Sequence, residues 1–242
     1  MQSLFLGTIY SNTMEINRDP LSASLLRSQI DNRLTSYLKN LGLDKWNGAY
    51  YWYSDYGTHH YRKVFHYTLL KGESATFAWG YCFDFIPTYG NTNNLRWNRT
   101  EKSVRLHFWD MPANFVHFAG SRDAHRRSLR GRGLVSHWGE TAFDVTFNEL
   151  FEDSYAQIES WFKTDYSLED LLNWVDLQIE RSIDYPKSPH PNYVKCFLLA
   201  KLGRSAEAID AMEKMKNLYC AHDHKWEPLF TQLVSIIKKT SP

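Results

Sequence analysis

Three groups of residues in this chain have the side-chain types that catalysis or ligand binding needs. His66, Asp84 and His107 combine two imidazoles with a carboxylate, which suits general acid–base work if the three converge on one proton. Cys220, His222 and His224 place a thiol and two imidazoles within five residues, all of them groups that zinc accepts. Arg122, Arg126, Arg127, Arg130 and Arg132 crowd the run Ser121 to Gly133, where Asp123 is the only acid. Guanidinium forks in such density suit phosphates or a cluster of carboxylates.

Each group also has a plainer reading. The His–Asp set depends on strand register, and a slip of one residue in pairing separates its members, so a scattered polar sheet face is the preferred expectation. The zinc set lacks a fourth ligand and has no paired Cys-x-x-Cys elsewhere, so a polar interhelical turn is expected, without metal or other cofactor. The arginines could pair with Glu149, Glu152 and Asp153 of the following helix, bind phosphates, or meet an acidic protein partner. A net charge of +1 disfavours general nucleic-acid affinity, so a protein partner or a local salt-bridge network is preferred. The phosphate-binding Gly-x-x-x-x-Gly-Lys, the nucleophile elbow Gly-x-Ser-x-Gly and the zinc motif His-Glu-x-x-His are all missing, and the balance leans away from an enzyme.

The elements that must position these residues centre on Trp46 to Phe85, which holds 14 aromatics in 40 positions against 16% for the whole chain. Phe77, Trp79, Tyr81, Phe83 and Phe85 alternate with Thr76, Ala78, Gly80, Cys82 and Asp84, so a strand puts the rings on one face and the small residues on the other. Exposed aromatic faces of this kind stack single-stranded bases in RNA-binding sheets, but burial as core is the stronger expectation because large apolar faces are rarely left open. The reverse side, around Gly80, Cys82 and Asp84, then becomes the face of functional interest.

Around that strand the pattern predicts a helix over Leu21 to Leu41, with Leu26, Ile30, Leu34, Tyr37 and Leu41 in one stripe and Gly42 as its stop. Strands are expected at 49–54, 59–70, 75–86 and 102–109, the last with Phe108 inward and His107 outward, joined as an antiparallel meander. A short strand is expected near Ala142 to Phe147. Helical spacing then begins at Asn148 and continues through a capping box at Ser167 to Asp170. Helices are expected at 192–202, 205–218 and 226–239. The fold class is thus α+β: an N-terminal helix on an antiparallel aromatic-rich sheet (1–133), followed by a helical region (134–242) packed on it.

The words Ala200-Lys-Leu-Gly-Arg-Ser-Ala-Glu-Ala-Ile209 resemble the joint of a tetratricopeptide-type hairpin and cover roughly one repeat of about 34 residues. The run Ser36 to Leu43 leading into Tyr50-Tyr-Trp-Tyr53, with the later Ser167 to Leu172, resembles small bacterial α+β proteins, including immunity and accessory proteins of toxin and phage-defence loci. That resemblance implies a protein-binding role and assigns no individual residue. The alternative expectation is a protein that processes nucleic acid or nucleotides through the 121–133 loop. With an N-terminus unlike a secretory signal, no long apolar run and only three dispersed cysteines, the expected setting is the cytoplasm, away from membranes.

Overall fold

The structure is a computed structural model that describes residues 19–71, 73–89, 94–98, 100–101, 103–115, 132–181 and 188–240. Helix α1 (Ala23–Asn40) starts at Ser22, whose hydroxyl accepts the Leu25 N–H, and ends before Gly42, whose φ of 86° favours a residue without Cβ. Its buried positions are Leu26, Ile30, Leu34 and Leu38, a stripe of four-residue steps. Strands β1 (Lys45–Trp46), β2 (Tyr51–Tyr53), β3 (Tyr61–Leu70) and β4 (Ser74–Phe83) follow as an antiparallel meander, and β5 (Thr88–Tyr89) pairs with β6 (Leu95–Arg96) as a separate ribbon. Strand β7 (Phe108–Asp110) returns to pair with β4, and β8 (Val135–Ser136) pairs with the start of β4.

Register between β3 and β4 runs unbroken from Tyr61 opposite Phe83 to Leu70 opposite Ser74. It places Tyr61, Phe65 and Tyr67 beside Phe83, Trp79 and Phe77 on one face, and these rings are buried. Helices α1 and α2 (Glu140–Phe162) contribute to the same core. The aromatic strand is therefore core, as its alternation predicts. Tyrosine hydroxyls on this face reach the edges: Tyr81 of β4 donates to the Trp161 carbonyl and Tyr61 of β3 to that of Tyr166 at 2.9 Å. Lys63 Nζ donates to the Phe162 carbonyl at 2.7 Å, so the sheet supplies a cation to the C-terminal end of α2. Arg33 on α1 meets Asp144 on α2 at 2.5 Å, with its guanidinium over Phe143 and Phe147.

Three local expectations are corrected. Residues 142–147 form part of α2: Phe143, Phe147 and Leu150 share its buried side, and the Thr146 hydroxyl bonds back to the Ala142 carbonyl at 2.7 Å. Of the strand expected over 102–109, only Phe108 and Trp109 enter a strand; Phe108 is inward as predicted, but His107 is also buried. The strand expected over 49–54 shrinks to Tyr51–Tyr53, because Asn47 Oδ1 accepts the N–H groups of Ala49, Tyr50 and Tyr51 and turns the chain there.

Beyond α2 come α3 (Leu168–Glu180), opened by the Ser167–Asp170 capping box, then α4 (Pro191–Lys201), α5 (Ser205–His222) and α6 (Glu227–Thr240). Ala200 and Ala208 are fully buried and Gly203 takes φ 80°, so the α4–α5 hairpin closes at small residues. Helix α4 sits between α3, α5 and α6, and Tyr193 ties it to the sheet region by donating to the Pro87 carbonyl at 2.8 Å. No helix among the described residues is long and apolar enough to cross a membrane.

Gly80 lets β7 approach β4: a Cβ there would lie 2.1 Å from the Phe108 carbonyl oxygen and 2.6 Å from the Trp109 Cα. Both neighbours are backbone and cannot rotate away. Gly80→Ala is expected to destabilise the fold by roughly 3 kcal/mol, as overpacking of a rigid core does. Urea unfolding checks this, and a midpoint unchanged from the native chain would refute the close approach.

Candidate binding cleft on the reverse face of the sheet

The reverse face carries Tyr51 and Tyr53 from β2, Arg62, Val64, His66 and Thr68 from β3, and Thr76, Ala78, Gly80 and Cys82 from β4. It is not an open polar surface. Tyr53, Val64 and Cys82 form a second small core, with Tyr51, Tyr56, Val104 and Leu106 packed on it. The segment that follows β6 thus lies over this side of the sheet, which explains why β4 is buried along its whole length.

Within that cover, the His–Asp set does not assemble. His66 lies opposite Ala78, whereas Asp84 follows the end of β4, six residues further on and about 20 Å away at strand rise. Asp84 instead meets His60 Nδ1 at 3.1 Å. His107 is 1% exposed and is used up as framework. Its Nδ1 accepts the Phe83 N–H at 2.9 Å, so the neutral ring carries its proton on Nε2. Asn98 Nδ2 lies 3.3 Å from that nitrogen, so a hydrogen bond between them requires the amide to be turned over, with Oδ1 accepting from Nε2–H. Burial, reinforced by Arg105, pushes the His107 imidazole down to about 3.

His66 stacks flat on Tyr51, with ring centroids 3.9 Å apart, and its Nδ1 meets the Thr68 hydroxyl at 2.9 Å. Burial and then Arg105 bring it down to about 4. A third ring, His137, shares a hydrogen bond of 2.9 Å with the Tyr67 hydroxyl and is lowered to about 4 by burial. Cys82 is also buried, which raises its thiol; Tyr56 Oη at 3.2 Å and the Arg105 backbone oppose that shift only in part. These groups are poorly suited to proton transfer or nucleophilic attack near neutrality.

A cleft of about 430 Å³ lies between two arms of the covering segment. Arg96, Trp97 and Asn98 line one arm, Ser103, Val104 and Arg105 the other, and Tyr51 of β2 lines it as well. Arg96 and Arg105 are exposed, and neither guanidinium has an ion-pair partner among the described residues. Arg62 secures the loop between the arms. It is 2% exposed, donates to the carbonyls of Glu101 at 2.9 Å and Thr100 at 3.4 Å, and lies 3.8 Å from the Tyr56 ring centre. Lys45 holds the same turn from outside through Glu101 at 2.8 Å, and Tyr56 donates to the Asn98 carbonyl.

Of the arginines singled out in the 121–133 run, Arg122, Arg126, Arg127 and Arg130 lie outside the described residues, whereas Arg132 is half-buried at the turn before β8. Cys220 is half-buried near the end of α5, and His224 opens the short 3₁₀ turn after it. Among the described residues no cluster of three or more His, Cys, Asp or Glu could hold a metal ion. Sequence reasoning passed over Arg96 and Arg105. A signal was present, because Arg96, Arg99, Lys102 and Arg105 recur every third residue with Glu101 as the only acid. No family model, curated protein or solved structure matches the chain.

The buried imidazoles predict a pH dependence. Each ring binds a proton more weakly folded than unfolded, so between about pH 3 and pH 6.5 the unfolded chain takes up the additional protons. Stability is therefore fully present above pH 6.5 and falls as pH falls. A loss of roughly 5 kcal/mol between pH 7 and pH 5, a little under about 2 kcal/mol for each ring, is expected from urea unfolding. Equal stability at the two values would mean that the rings titrate normally.

Proposed function

We propose that this chain is a non-enzymatic protein-binding module of the immunity or defence-associated kind, and that it takes an acidic segment of its partner at the cleft. The observation that supports this is the pair Arg96 and Arg105, two exposed cations without carboxylates of their own among the described residues, lining one cleft. In a chain of net charge +1 such a local excess is a recognition feature, not a bulk property. Opposed charge at a rim accelerates encounter, and guanidinium forks add geometric selectivity for carboxylates. The imidazoles and the Cys82 thiol nearby serve as framework, which fits a surface built to bind.

A second reading has one observation in its favour. Tyr51 and Trp97 line the same cleft as the arginines, and aromatic rings beside cations also suit single-stranded nucleic acid. Oligothymidylate that binds the protein at low salt, with affinity falling steeply as salt rises, would favour this reading over the first.

The test is capture of a partner from the source organism's own extract on the tagged chain. The native protein is expected to retain one stoichiometric protein. The double variant Arg96→Glu, Arg105→Glu is expected to lose at least about tenfold in affinity for it, while its thermal midpoint barely moves because both side chains are exposed. Undiminished capture by that variant would remove the cleft from the interface.

A further inference from the structure

Arg62 is the least expected charge among the described residues. It occupies the reverse face of β3, opposite Cys82, and is buried among Tyr53, Tyr56 and the small core on Val64. A buried guanidinium normally has a carboxylate against it, because desolvation of an unpaired charge is costly. Here no carboxylate forms an ion pair with it among the described residues. The Glu101 side chain that could reach it is turned to Lys45 at 2.8 Å. Two backbone carbonyls and two aromatic faces take the place of a counter-ion, and Nε has no hydrogen-bond partner.

The carbonyls it holds are informative. Thr100 and Glu101 form the turn that joins the two arms of the cleft, closed by the Ser103 N–H donating to the Thr100 carbonyl at 3.1 Å. Arg96 lies four residues before that turn and Arg105 four residues after Glu101. One anchored point therefore sets where both exposed guanidiniums emerge. The Tyr56 bond to the Asn98 carbonyl and the Asn98–His107 contact fix the arms on either side of it.

We infer that Arg62 is the positioning residue of the cleft: from beneath, it holds the turn at Thr100–Glu101 so that Arg96 and Arg105 present their charges to one oxyanion-bearing segment. The inference rests on the acidic-partner reading of the cleft. Arg62 touches no ligand itself. Its contribution is pre-organisation, so that the loop does not have to be ordered at the moment of binding.

The experiment measures binding of a fluorescein-labelled hexaglutamate peptide to the full chain at low salt. Four variants are compared: Arg62→Met, Arg62→Lys, the pair Arg96→Ala with Arg105→Ala, and the triple variant Arg62→Met, Arg96→Ala, Arg105→Ala. Arg62→Met is expected to weaken binding by about tenfold, the scale on which residues supporting a site act. Arg62→Lys, which can still donate to one carbonyl, is expected to recover part of that loss, and it carries the test if Arg62→Met does not fold. In the background lacking Arg96 and Arg105, the Arg62 substitution is expected to have no further effect, since it acts through them; a merely structural role would still add its loss there. Native affinity in both Arg62 variants, or a full additional loss in the triple variant, would overturn the positioning role and leave the cleft reading intact. An Arg96, Arg105 double variant that binds the peptide as the native chain does would overturn both.

Discussion

The ten-pair ladder between β3 and β4 is the constraint on which the rest of this structure depends. Side chains alternate along a strand, so the register that sets Phe65 beside Trp79 also sets Arg62 beside Cys82 and His66 beside Ala78. A slip of one residue would send the aromatic set to the side that carries the cleft and bring Arg62 and His66 under the helices. The cost of burying those polar groups against α1 and α2 pins the register as firmly as the gain from burying the rings. Gly80 adds a second constraint, since only a residue without Cβ allows the β7 backbone to pack at that point of β4.

Both faces of β4 are buried, but by different means. On the aromatic face, large rings pack against helices, and tyrosine hydroxyls end on carbonyls near the close of α2 and just after it. On the reverse face, an irregular segment is held by polar contacts: Arg62 to two carbonyls, Tyr56 to a third, and His107 to the Phe83 N–H. Irregular backbone cannot satisfy its own N–H and C=O groups as a helix does, so side chains from the sheet do it instead. On this face His107 and Cys82 are buried parts of that scheme and His66 a half-buried one, and the cleft with its two arginines opens to solvent beside them.

The helical half extends the core. Helix α4 is enclosed by α3, α5 and α6, so the hairpin whose joint resembles a tetratricopeptide repeat acts as a central support. A concave binding surface of the tetratricopeptide kind needs several stacked copies, whereas α4 and α5 make a single hairpin.

From the sequence alone, the α+β class, the α1 stripe, the aromatic strand as core, the Ser167 cap and the Ala200–Gly203–Ala208 joint were all legible, because each is written in local periodicity or in a residue with special backbone freedom. The helical state of 142–147 was not, since Phe143 and Val145 alternate like a strand and only Phe147 and Leu150, meeting the sheet, reveal the helical side. The cleft was invisible for a deeper reason. Arg62 is separated from Thr100 and Glu101 by almost 40 residues, and Tyr51 from Arg105 by more than 50. No local pattern encodes such a meeting. Only closure of the sheet and return of the chain over its reverse face bring these residues together. The same closure turned His66 and His107 from candidate catalysts into framework, by removing them from water and engaging their nitrogens in hydrogen bonds.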